Sequence, residues 1–213
     1  MANIRDLLPE VKTHLDSVPD VTALTYLRRA AKQFCQDTGI WTIRTEPVVV
    51  QQSDLPMDTD LPFTGTLPSD DFPVDETFPR VVFAIEDVII NTYSSINREA
   101  QANPFSYDVI TKEFEINRDL FSMYPANVEF VVQLQPTKTA DTIPDFLVEL
   151  RSEGIASYAL AELMSMPNRQ WSDPRLSVLY MSKYQNRASE ARTRKSRQGT
   201  TGPIPIDFLP FGG

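Results

Sequence analysis

A chain of 213 residues that is 41% apolar and 10% aromatic has enough material to bury a core, which excludes a disordered polypeptide. Its single cysteine, Cys35, excludes an internal disulfide, and no apolar run approaches the ~20 residues of a bilayer-spanning helix. The net charge of −9 divides into −13 over residues 1–182 and +4 over residues 183–213, and an acidic body argues against wrapping nucleic acid with clustered Lys and Arg.

The opening residues, Met-Ala-Asn-Ile-Arg-Asp, lack the basic-then-apolar order of a signal peptide, so a soluble protein made in a cytoplasm is expected. Ile4, Leu7, Leu8, Val11 and Leu15 recur at spacings of three and four and predict a short helix over 4–15. A second helix follows Pro19, with Asp20 as its N-cap and Gly39 just past its end at Thr38. Leu24, Leu27, Ala31, Phe34 and Cys35 form its apolar face. Residues 40–51, rich in β-branched side chains, read as one strand or as a bent pair around Pro47.

Residues 53–79 carry five prolines, seven acids and no Lys or Arg, and read as a long acidic surface loop. A hairpin around Phe63-Thr64-Gly65-Thr66 could interrupt it. Strands are expected at 80–93, 106–117 and 128–135; in the last, Val128, Phe130, Val132 and Leu134 alternate with outward positions. Helix resumes at 145–165, with Gly154, Ala156, Ala159 and Ala161 permitting close helix approach. Pro167-Asn168 ends it. Asp173 then caps a helix from Pro174 to about 196, and Trp171 packs in the turn between the two. The prolines and glycines of 199–213 predict an extended arm bearing Ile204, Ile206, Phe208, Leu209 and Phe211.

Few residues suggest chemistry. His14 is the sole histidine, and Cys35 lies on an apolar helix face without a base, so a nucleophile–base pair is lacking and no enzyme is expected. Asp58/Asp60 and Asp70/Asp71 lack the Gly and terminal Glu of a calcium loop, and no glycine-rich phosphate loop occurs. No catalytic, cofactor or metal site is therefore expected. The basic run Arg187, Arg192, Arg194, Lys195 and Arg197 could face DNA or an acidic protein surface, the protein contact being the favoured reading.

One pattern extends over the two ends of the chain. It comprises Asp6-Leu-Leu-Pro9, Pro19-Asp20 and Leu27-Arg28-Arg29-Ala30-Ala31-Lys32-Gln33-Phe34-Cys35, then Leu134-Gln-Pro136, Ile143-Pro144-Asp145, Met166-Pro167, Trp171-Ser-Asp-Pro174 and Ala188-Ser-Glu-Ala191-Arg192. In order and spacing this resembles the head-to-tail adaptor, or connector, proteins of tailed bacteriophages, over roughly residues 4–45 and 128–197. The acidic segment 53–79 lies outside the pattern.

The resemblance implies an α+β chain. A helical domain would be built from 1–39 and 136–198, with an inserted antiparallel β region at 40–135 and an extended docking arm at 199–213. It also implies a non-enzymatic virion subunit in the neck, a homo-oligomeric ring of twelve copies between the portal ring and the tail or nozzle proteins. Genomic DNA would pass its lumen without sequence-specific binding, no membrane would be involved, and assembly would take place in the host cytoplasm. An acidic lining suits a channel along which DNA must slide. The competing expectation is a neck or tail-completion protein that contacts the tail tube rather than the portal.

Overall fold

A computed structural model describes residues 2–45, 47–54, 62–66, 80–90, 93–94, 105–108, 110–111, 113–121 and 124–198. The arm 199–213 and most of the acidic segment lie outside the described residues. Among the described residues the fold is α+β, four helices with three small antiparallel sheets. In chain order the elements are β1 (Ala2–Asn3), α1 (Leu8–Lys12), α2 (Asp20–Thr38), β2 (Thr42–Arg44), β3 (Val48–Val50), β4 (Phe63–Thr66), β5 (Arg80–Ile90), β6 (Tyr93–Ser94), β7 (Phe105–Tyr107), β8 (Glu113–Ile116), β9 (Ala126–Pro136), β10 (Thr142–Ile143), α3 (Asp145–Met164) and α4 (Pro174–Gln198).

The first predicted helix is shorter than its apolar stripe. Ile4–Leu7 form a tighter 3-10 turn, closed by the Asn3 side chain, which accepts from the Arg5 N–H, and the Asp6 carboxylate, which accepts from the Asn3 N–H, and α1 covers only Leu8–Lys12. Pro9 has no N–H to give to a carbonyl four residues back, so a regular helix cannot run unbroken through it. The buried faces of Ile4, Leu7, Val11 and Leu15 nevertheless stay on one side.

Pro19, not Asp20, is the N-cap of α2. The Asp20 carboxylate turns instead to Lys12 Nζ at 2.7 Å. An acid in the first turn still suits the helix dipole. The other end follows expectation: Gly39 takes the left-handed conformation (φ 57°) and its N–H donates to the Cys35 carbonyl at 2.8 Å.

β9 is the central strand of a five-stranded sheet. Along one edge it pairs with β2 and β3, which resolves 40–51 into two short strands, and along the other with β5, which in turn carries β6. Its even-numbered side chains are buried from Ala126 to Leu134, as the alternation predicts. On β5, Ile85 pairs with Val132 and Asp87 with Val131, so Glu86 is the extra residue of a bulge.

The three-stranded sheet β4–β8–β7 packs on β9 through Phe114 and Phe130, whose ring centroids are 4.7 Å apart. Phe63–Thr66 is a single strand paired with β8, not a hairpin. Its glycine serves a close approach: a Cβ on Gly65 would lie 2.7 Å from Phe114 Cζ. The predicted acidic loop is thus interrupted by a strand. β1 and β10 pair as the third sheet and bring the start of the chain to the entry of α3.

Candidate functional site at the basic end of the helical hairpin

α3 is buried on nearly all sides along 154–164 and packs against both α2 and α4. Gly154 makes the close approach possible: a Cβ there would meet Phe34 Cε2 at 2.8 Å and Arg187 Cβ at 3.3 Å. Phe34 also meets Tyr184 edge-on at 6.2 Å, so a ring from α2 is wedged between the two arms of the hairpin.

The turn joining the arms is fixed by local bonds. Asp173 Oδ1 accepts from the Arg175 and Leu176 N–H groups, and the Asp173 N–H donates to the Met164 carbonyl at 3.0 Å. Pro174 is the first residue of α4, as expected. Trp171 is half-buried against the core, with the Arg169 guanidinium 5.8 Å from its ring centroid. Trp171 and Pro174 stand at the opposite end of the hairpin from the basic run, about 30 Å along the axis.

The basic run is largely tied down within the chain. Arg187 is bound to Glu153 at 2.5 Å and Glu190 at 3.0 Å. Hydrogen bonds to Glu190 and Glu153 raise its pKa. Arg192 Nε donates to the Asp37 carbonyl at 2.5 Å, and Lys195 pairs with Glu86 at 2.7 Å. The bulge in β5 aims Glu86 at α4. Asp37 also accepts from the Tyr184 hydroxyl and from Gln33 Nε2. Burial, then that hydrogen bond to Asp37, raises the Tyr184 pKa. The Arg197 side chain lies outside the described residues, as do Ile204, Ile206, Phe208, Leu209 and Phe211.

Arg194 has no ion pair among the described residues. With Arg151, Arg187, Glu153, Glu190 and Phe34 it lines a cavity of about 130 Å³. Arg151 Nε is buried there without an acceptor among the described residues. Its pKa is lowered by burial first and by Arg194 second, while Glu190 works in the opposite direction. Such a cavity can hold one small carboxylate-sized group, and it offers no nucleophile. The sequence reading missed Arg151 because its partners lie some forty residues away; only the antiparallel pairing of α3 with α4 brings it to Arg194.

His14 is exposed, its ring 5.5 Å from that of Tyr180. Cys35 is fully buried, and burial pushes its thiol up to about 12. Among the described residues no group of three or more His, Cys, Asp or Glu is placed to hold a metal ion. Nor is any helix among them long and apolar enough to cross a membrane. Compared with known protein families and with curated proteins, the chain matches none.

Proposed function

We infer that this chain is a structural subunit of a tailed-phage particle, a head-to-tail adaptor whose ring joins the portal to the tail in the virion neck and continues the DNA channel. The observation that carries the reading is the anchoring of the last turns of α4. Arg192 is bonded to α2 through the Asp37 carbonyl, and Lys195 to β5 through Glu86. Residues 199–213 therefore depart from a point fixed to both the helices and the sheet. An apolar segment delivered from a fixed origin suits a docking arm, because less orientational freedom is lost on binding. Repetition of a modest contact around a ring makes the whole joint hard to reverse.

The motifs that resemble the adaptor family add support. Those of 27–35 and 143–174 lie far apart in sequence, yet they fall on α2, α3 and the hairpin turn, which pack together. The helical domain, the inserted β region 40–135 and the extended arm are parts of this same proposal.

The test uses purified portal rings and two chains, full-length and lacking 199–213. The full chain is expected to be recruited as a ring, and the shortened chain to lose recruitment while keeping its circular dichroism spectrum. Equal recruitment of both chains overturns the docking role of the arm.

A second reading, a neck or tail-completion protein that meets the tail tube, is favoured by the outer side of β3. Val48 and Val49 are exposed there on a strand that, among the described residues, pairs only with β9. Binding to isolated tail components but not to portal selects it.

A further inference from the structure

Two surfaces of this chain carry complementary charge. The first is a groove of about 450 Å³ along the outer side of α2, lined by Arg28, Arg29, Lys32, Gln33, Gln36 and Lys138, with Thr25 at one end. Arg28 is paired with Asp141, and Arg29 with Glu162 at 3.4 Å. Lys32 and Lys138 have no ion pair among the described residues, so the groove keeps an excess of two positive charges within a chain of net charge −9.

The second surface is the hairpin formed by β7 and β8. Phe114 and Ile116 point inward, whereas Glu113 and Glu115 face out. The turn is shaped by its own bonds. The Asp108 N–H donates to the Glu113 carbonyl at 2.9 Å, and Asp108 Oδ1 accepts from the Ile110 N–H at 2.7 Å and the Thr111 N–H at 3.3 Å. At its tip Ile110 is 91% exposed. With Asp108, Glu113 and Glu115 against Lys112, the hairpin carries an excess of two negative charges. It is a preshaped acidic knob with an apolar tip.

We propose that the α2 groove receives the β7–β8 hairpin of a second copy of this chain, so that the two surfaces form the repeating contact between neighbours. The proposal rests on the ring reading above and supplies the interface it needs. The groove lies on α2 and on the turn after β9, whereas the hairpin belongs to a different sheet, so one copy can use both at once. A contact between two different patches of identical chains runs head to tail and closes when the rotation between neighbours allows.

Charge decides the occupant. The excess of two in the groove matches the excess of two on the hairpin, whereas a DNA rod of continuous negative charge would extend beyond a short groove against a chain of net charge −9. Ile110 finds the alkyl stems of Arg and Lys that line the groove. A knob of this size covers less than the ~1,200 Å² of a stable binary interface, so each contact is weak and the closed ring supplies the persistence.

The test uses full-length chain, alone and on purified portal rings, followed by sedimentation velocity and electron microscopy. The pair Lys32→Glu with Lys138→Glu, and separately Glu113→Lys with Glu115→Lys, should each weaken association by about tenfold or more. An equal mixture of the two variants should restore it, because every contact then again joins opposite charges. In an isotope-mixed wild-type sample, carbodiimide should link Lys32 or Lys138 of one copy to Glu113 or Glu115 of another.

Failure of the mixture to recover overturns the proposal. So do links from those lysines to residues 67–79 alone, or loss of DNA binding as the only effect of reversing the groove. Rings that form on portal with every variant remove this interface and leave the adaptor reading standing. A wild-type chain that neither self-associates nor joins portal removes both.

Discussion

A methyl group on Gly154 would sit 2.8 Å from Phe34 Cε2 and 3.3 Å from Arg187 Cβ. The first neighbour is a ring held edge-on to Tyr184; the second is bonded to its own backbone, so neither has room to retreat. Gly154→Ala gains about 1 kcal/mol in helix propensity. Overpacking costs about 1–3 kcal/mol, so a net loss in urea unfolding is expected. A rise in stability would mean that the wedge between α2 and the hairpin is looser than the distances state. Cys35 gives a prediction in pH. Its thiol is raised from 9.0 to about 12 by burial, so the folded chain retains a proton that the unfolded chain releases. The contribution is fully present below pH 9 and is lost between pH 9 and about 12, at about 1.4 kcal/mol per pH unit. The check is the pH dependence of unfolding for wild type against Cys35→Ala, which should lose this slope; native Cys35 should also resist thiol reagents until the chain unfolds. Burial of Cys35 was legible from its place on the apolar stripe of α2. The role of Gly65 was not, because a glycine beneath an aromatic ring and a glycine in a turn look alike until the partner strand is known.

At the scale of elements, β9 and β3 make a contrasting pair. Phe130 is fully buried against Phe114, and Phe130→Ala should cost about 3–5 kcal/mol. Val49 is 54% exposed on a short strand, and Val49→Lys should change stability by no more than about 0.5 kcal/mol while discouraging edge-to-edge association. Chemical denaturation of the two variants side by side checks both; equal losses would contradict the alternation read from β9. The elements that the sequence announced were those with local signals: Gly39 after α2, Asp173 and Pro174 before α4, and the alternation of β9. The elements it misjudged either depend on distant partners or carry a local break that their apolar pattern masks. β4 is a strand because β8 lies beside it, and the first helix is cut short by the missing N–H of Pro9 despite an unbroken apolar stripe. The basic run shows the same division. Its charge could be read along the chain, but Glu153, Glu86 and Asp37, which hold most of it, come from three other elements.

Across the whole molecule, one core of buried side chains runs from the helices through β9 to the three-stranded sheet. Among the described residues the buried side chains of that core run from Ile4 to Ala191, so with the arm reaching outward as proposed, removal of 199–213 should leave the unfolding free energy in urea unchanged within about 0.5 kcal/mol. A larger drop would show that the segment packs on its own subunit rather than reaching outward. The division of charge, acidic body and basic end, is also a property of the whole chain and was visible at once in the sequence; the groove on α2 was not, since Lys138 joins it only through the turn after β9.

The two bonds near the end of α4 carry a mechanical implication. Arg192 is fastened to the C-terminal turn of α2 and Lys195 to the bulged residue of β5, so tension applied at residue 198 is divided between helix and sheet rather than peeling α4 from α3 one turn at a time. The bulge at Glu86 thereby acts as a rivet: it lets a strand share a load that would otherwise fall on a single helix.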